Sequence, residues 1–145
     1  MGNIIWNYDI PEELCEDAIK EFNKVLKIDP YHHEAFYYLG ISEMSIKNHS
    51  SAIKNFTQSL LLDPNNSDLY YHLGKAYFEI GKIIQAREAF IRTIGLDPQY
   101  GSAFYYQGII NENIMEIDDA IQAYSHAREF SPEIEDVYYR LGMLF

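Results

Sequence analysis

Residues 67–100 read SDLYYHLGKAYFEIGKIIQAREAFIRTIGLDPQY, and the same pattern recurs 34 residues to either side. Proline stands at Pro30, Pro64, Pro98 and Pro132, glycine at Gly40, Gly74, Gly108 and Gly142, and alanine at Ala18, Ala52, Ala86 and Ala120. Two aromatic columns keep this register, one at Phe22, Phe56, Phe90 and Tyr124, the other at Phe36, Tyr70, Phe104 and Tyr138. Five columns with one period exclude coincidence. A period of this length marks supersecondary units that cannot bury an apolar face alone and must stack on their neighbours. Function is therefore expected on a surface rather than in a pocket of chemistry.

Within a unit, Tyr38 and Leu39 lead on to Ser42 and Ile46 at helical spacing, and Ile53, Phe56, Leu60 and Leu61 form a second amphipathic run. Each unit is thus read as two helices. Lys47-Asn48-His49-Ser50 and Ile80-Gly81-Lys82 break the helices inside a unit, while Asp63-Pro64-Asn65-Asn66 and Asp97-Pro98-Gln99 separate one unit from the next. Proline disfavours helix at the residue before it, which stops the second helix. Asn66, Ser67 or Asp68 then caps the next helix by accepting a backbone N–H bond. Glycine in mid-helix costs about 0.5 to 1 kcal/mol relative to alanine, so its recurrence at one place demands an offset. Close approach of the partner helix of the same unit supplies one, and Ala52, Ala86 and Ala120 allow the same approach from the other side.

At 145 residues, 48% hydrophobic and 15% aromatic, the chain has one domain's length and the means to fill a core. Asp and Glu number 22 against 11 Lys and Arg, a net charge of -11. That balance argues against nucleic acid, which is bound by Lys and Arg displacing counterions, and favours basic or neutral partners. The single cysteine, Cys15, forms no internal disulfide, which fits a reducing compartment; its apolar helical surroundings read as core. No leader pattern opens the sequence, and no apolar run approaches the roughly 18 residues of a membrane span. Cytoplasmic residence is the default expectation. Met1-Gly2 does not make a myristoylation signal, because Trp6 stands where that motif wants Ser or Thr.

These columns resemble the tetratricopeptide repeat family. Tyr70, Leu73, Gly74, Tyr77, Ala86, Phe90 and Pro98 fill seven successive signature positions, with Thr93 in place of the late alanine. Elsewhere Glu43 and Asn111 take the interior Tyr position, Gln107 the Leu position and Ser59 the late Ala, which marks them as candidates for specific roles. The resemblance implies an all-α fold: a right-handed superhelical α-solenoid of antiparallel helix pairs, about eight helices in all. On it the chain divides into an N-terminal tail or cap (1–11), the second helix of a partial repeat (12–32), three repeats (33–66, 67–100 and 101–134) and the first helix of a truncated repeat (135–145). Asp9 with Glu12 looks like a capping pair that starts the partial repeat afresh. At the other end Tyr138, Leu141, Gly142, Leu144 and Phe145 are expected to leave an apolar face uncovered. Either the sequence belongs to a longer array or the chain self-associates through that C-terminal helix.

In the resembled family the first helix of each pair lines a concave groove. Its fifth positions are here Tyr37, Tyr71, Tyr105 and Tyr139, with Ile41, Lys75, Ile109 and Met143 one turn later. The second positions add Glu34, Asp68, Ser102 and Asp136, so the expected groove is aromatic in the middle and acidic on one rim. Tyrosine offers large contact area, few rotatable bonds and a polar tip, which suits a peptide or partner helix carrying basic residues. Members of the family that hold a chaperone's C-terminal carboxylate do so with Lys and Asn at positions occupied here by Tyr37, Ile41 and Tyr71, so that clamp is missing. Lys75, His72 and Arg140 are scattered groove-side cations.

No catalytic, metal or cofactor site is expected. Adjacent His32 and His33 diverge on a helix with no ligand at i+4, so they read as turn or cap residues. Asp118-Asp119 and Glu133-Glu135-Asp136 sit at helix starts, where acidic side chains suit the dipole. No phosphate loop, G-x-S-x-G or zinc pattern occurs. Three functions follow: a protein-interaction scaffold, which is favoured; a small acidic chaperone for a secreted or assembly subunit; or the targeting arm of an enzyme whose catalytic domain lies outside this chain.

Overall fold

The computed structural model describes residues 12–145, which form eight α-helices and no strand. The chain divides into two compact units, Met1–Pro64 and Asn65–Phe145.

The first unit contains α1 (Glu12–Ile28), α2 (His33–Ser45) and α3 (His49–Leu62), with α2 packed against both neighbours. The Nδ1 atom of His32 accepts the amide hydrogen of Ala35 at 3.1 Å and so caps α2, satisfying one of the amides a helix start leaves without a partner. Cys15 is buried, as its surroundings implied. The buried stripe of α3 is Ala52, Phe56 and Ser59. Leu61, expected on that stripe, is 73% exposed. It stands five residues from Phe56, and helical geometry turns it away, whereas Ser59 at i+3 faces inward. The Ser59 hydroxyl is satisfied there by donating to the His33 carbonyl at 2.8 Å.

The second unit contains α4 (Ser67–Glu79), α5 (Ile83–Leu96), α6 (Gly101–Asn113), α7 (Ile117–Phe130) and α8 (Glu135–Leu144). Each helix packs on the next, and the short turns between them fold the pairs back antiparallel. Asn66 caps α4 by accepting from the Leu69 amide at 3.2 Å. Two clusters lie in its core. In one, Ala86, Phe90, Ala103 and Ile110 are buried, with Tyr71, Tyr77 and Tyr106 packed on them. In the other, Ala120, Tyr124, Ala127, Val137 and Leu141 are buried beneath Tyr105, Ile109 and Leu144. Thr93 replaces the late alanine without leaving an orphan donor, because its hydroxyl bonds the Ala89 carbonyl at 2.9 Å.

The turn inside each pair has one design. Lys47, Gly81 and Met115 occupy the left-handed region, at φ 61°, 79° and 65°. The following amide reaches back to Glu43, Tyr77 and Asn111 carbonyls at 2.8, 2.9 and 2.9 Å, which closes the helix end. The glycine column is explained at three of its four members. A Cβ on Gly40 would lie 2.5 Å from the Phe56 ring and one on Gly74 2.7 Å from Phe90, and one on Gly108 would strike Tyr124; at Gly142 it would meet nothing. The expected uncovered C-terminal face needs correcting in part. Leu141 is 3% exposed and Leu144 packs on the α7 cluster, because Val137 and Leu141 form the stripe that α8 turns toward α7. Tyr138, Gly142 and Phe145 do stay exposed. Asp9 lies outside the described residues, as does the 1–11 tail.

Candidate protein-interaction surface

In the first unit, Tyr37 is half-buried with its ring centroid 5.1 Å from Tyr38 and 6.2 Å from Phe56. Ile41 is half-buried one turn later, and Glu34 is exposed in the first turn of α2.

In the second unit the corresponding positions are joined by side-chain contacts that run from helix to helix. Tyr71 of α4 meets Tyr100 at 4.9 Å, Tyr106 at 6.0 Å and Phe90 at 6.1 Å, and the Lys75 ammonium lies 5.4 Å from its ring centre. Tyr105 of α6 packs against Tyr106 and Tyr124 and donates its hydroxyl to Asp136 of α8 at 2.5 Å. Asp136 also accepts Arg140 Nε at 2.5 Å, Arg140 reaches Glu112 at 3.3 Å, and Glu112 accepts the Tyr124 hydroxyl at 2.8 Å. The tyrosine hydroxyl and then the guanidinium hold the Asp136 carboxyl below the usual carboxylate range. Burial, reinforced by Asp136, pushes the Tyr105 phenol up. Ile109 is half-buried beside this network, whereas Tyr139 and Met143 are 68% and 70% exposed.

Two features change the character of the expected acidic rim. Asp136 is held as described, and Asp68 accepts the Tyr100 hydroxyl at 2.6 Å. Their carboxylates therefore fix tyrosines as well as presenting charge. Arg140 is tied by two carboxylates, and burial followed by the Lys75 charge pulls the His72 imidazole down to about 3, so neither is a loose cation. Tyr100 is the residue that the sequence reading missed. It occupies the column of His32, Asn66 and Ile134, two of which cap helices; an aromatic in a capping column was the available signal. Of the departures from the repeat pattern, Glu43 is buried, accepts a bond from the Asn55 amide, and has its carboxyl pushed up by burial. Asn111 gives its carbonyl to the α6–α7 turn, and Gln107 is half-buried. Among the described residues no His, Cys, Asp and Glu cluster could hold a metal ion, and no helix is long and apolar enough to cross a membrane.

Repeated helix pairs whose glycine receives the aromatic ring of the partner helix define an all-α repeat protein. Family profiles described as TPR repeat and Tetratricopeptide repeat match residues 43–81 and 71–133. The chain belongs to the tetratricopeptide repeat family. Among solved structures it is similar to MamA, at 32% identity and TM-score 0.83 over 90% of this chain and 76% of that one. It also resembles YrrB, described as a TPR protein with an unusual peptide-binding site, at 23% identity and TM-score 0.76, covering 91% of this chain and 68% of that one. A third is the first TPR of Spaghetti (RPAP3), bound to the HSP90 peptide SRMEEVD, at 20% identity and TM-score 0.73, covering 77% and 89%. None of the curated proteins matches the chain.

Proposed function

We propose that the chain is a protein-interaction scaffold and that its second unit takes an extended or helical segment of a partner along Tyr71, Lys75, Tyr105, Ile109, Tyr139 and Met143. The observation that carries this reading is the fixing of Tyr71 and Tyr105 by aromatic contacts and by the Tyr105–Asp136 bond, beside the exposed Tyr139 and Met143. Side chains immobilised before binding lose little entropy on contact. Two structural relatives, YrrB and the RPAP3 repeat, are described by their peptide-binding site or bound peptide, which supports a peptide client. The partner segment carries basic residues, because the Asp68 carboxylate, which accepts the Tyr100 hydroxyl, retains lone pairs for another donor and the chain's net charge is -11. In the first unit by itself, Tyr37, Ile41 and Glu34 offer the same residue types.

Selection from a displayed random-peptide library tests this. Enriched peptides should be rich in Lys or Arg with apolar anchors, and Tyr139→Ser with Met143→Ser should weaken their binding at least tenfold while the helical signal stays unchanged. Both substitutions fall on exposed side chains, so loss of binding cannot be charged to misfolding. Failure to enrich any peptide, or equal binding by the double variant, removes the surface from consideration.

A further inference from the structure

Helix α5 carries on its outer side a face that its counterparts α3 and α7 lack. Ile84, Glu88, Ile91, Arg92 and Gly95 follow helical spacing along one side, turned away from the buried Ala86, Phe90 and Thr93. Ile84 is 75% and Ile91 53% exposed. The same columns hold Ser50 and Thr57 in α3 and Asp118 and Ser125 in α7, so they are otherwise polar. Gly95 is a second anomaly. It lies in the last turn of α5 without a left-handed backbone, and a Cβ there would meet nothing within 4 Å. Leu61 and Glu129 occupy its column elsewhere. No described residue offsets what a helical glycine costs at this place.

Glu88 and Arg92 are exposed, one turn apart and of opposite charge. Neither is paired with the other or with any described residue, although nearby Arg87 reaches Glu116 at 3.9 Å. Such a pair is complementary to itself reversed: against an antiparallel copy of α5, Glu88 comes level with the partner's Arg92 and Arg92 with the partner's Glu88. Residues rise about 1.5 Å each along the axis, so in that register Ile84 stands beside the partner's Gly95 and Ile91 beside the partner's Ile91. The open space over Gly95 then receives an isoleucine. The face also borders a groove of about 490 Å³ between α4 and α5, lined by Tyr70, Leu73 and Tyr77 as well as by Ile91, which extends the apolar surface beyond one helix. Stacking of one repeat on the next does not use this side of a first helix. Helix α6 meets α5 through Ala103, Tyr106 and Ile110, whereas Phe104, Gln107 and Asn111, in the columns of Tyr70, Leu73 and Tyr77, stay half-buried.

We propose that two copies of this chain pair through α5 about a two-fold axis, with Glu88 of each copy meeting the partner's Arg92 and the isoleucines closing over Gly95 and over each other. The same patch serves both copies, so the contact is isologous and closes at two. One helix on another, with flanking side chains of α4, lies at the small end of stable interfaces, which makes the dimer weak and concentration-dependent. The apolar residues supply the attraction, and the reciprocal charges fix direction and register. This inference does not depend on the peptide reading, because none of Tyr71, Lys75, Tyr105, Ile109, Tyr139 and Met143 belongs to the docking face.

Sedimentation of the 145-residue chain from micromolar to millimolar concentration reads the assembly directly. The expected weight-average mass rises from the 17.0 kDa of one chain and levels at twice that value. Charge exchange then tests the register. Glu88→Arg alone and Arg92→Glu alone set like charges against each other and should each stay monomeric. An equimolar mixture of the two restores both pairs and should give a species of two chains, as should the double variant on its own. Ile84→Ser with Ile91→Thr, substituted at exposed positions, should also stay monomeric, with circular dichroism confirming unchanged helix content in every variant. A wild-type chain that is monomeric throughout, or whose mass climbs past two chains, overturns the proposal. So do single variants that dimerise as well as wild type, and a mixture or double variant that fails to recover the dimer.

Discussion

Replacing Gly74 with alanine puts the packing of the repeat to a quantitative test. The new methyl would sit 2.7, 2.9 and 3.0 Å from three atoms of the Phe90 ring. Carbon atoms in ordinary contact lie about 3.5 to 4.0 Å apart, so ring or helix must yield by close to 1 Å. Phe90 has little freedom to do so, being wholly buried and stacked almost parallel on Tyr106. Overpacking of this kind costs about 1 to 3 kcal/mol, against which alanine's better helix propensity returns about 0.8 to 1 kcal/mol. Gly142→Ala carries at most the same propensity gain and meets nothing. The difference between the two variants therefore isolates overpacking, at roughly 1 to 3 kcal/mol. Urea unfolding of the two variants gives both values. With a slope near 2 kcal/mol per molar urea, the two midpoints should stand about 1 M apart. If Gly74→Ala were as stable as Gly142→Ala, the ring would not be what keeps glycine in the column.

The other expectations concern the turns and the buried ionisable groups. Met115→Gly should stabilise by about 1 kcal/mol in thermal or urea unfolding, because an exposed methionine now pays for a left-handed conformation that glycine adopts freely. His72, with its folded value lowered to about 3, should cost stability as pH falls from about 6.5 toward 3, since the unfolded chain takes up a proton there that the folded chain refuses. A His72→Phe variant should lose that component of the acid dependence. Glu43 is shifted the opposite way for a carboxyl, upward, so its charged form is a burden at neutral pH that is relieved as pH falls through the raised value. Glu43→Gln should therefore be the more stable protein at pH 7, with the advantage vanishing below about pH 4, as read by unfolding midpoints at the two pH values.

The architecture was legible because it is written in intervals. A helix pair needs a proline after its second helix, a glycine under a ring and small residues at the crossing, and each repeats 34 residues later. Even the cost of the glycine was readable, and Phe56, Phe90 and Tyr124 are what offset it. Periodicity was a weaker guide to individual burial: Leu61 points outward while Ser59 goes in, since one residue turns a side chain by about 100° and a hydroxyl bonded to a carbonyl is tolerated inside. The interaction surface was legible only as a set of columns. Position predicts where Tyr71 and Tyr105 lie, but their partners come from other columns, as Tyr71 with Tyr100 and Tyr105 with Asp136 demonstrate. Such pairs arise once per chain and leave no period to detect.

The single cysteine gives the chain a built-in clock. Cys15 is wholly shielded from solvent in α1, and Asn65–Phe145 contains no other thiol. A thiol reagent can react only when the surroundings of Cys15 open, so the labelling rate reports the opening equilibrium around that one residue.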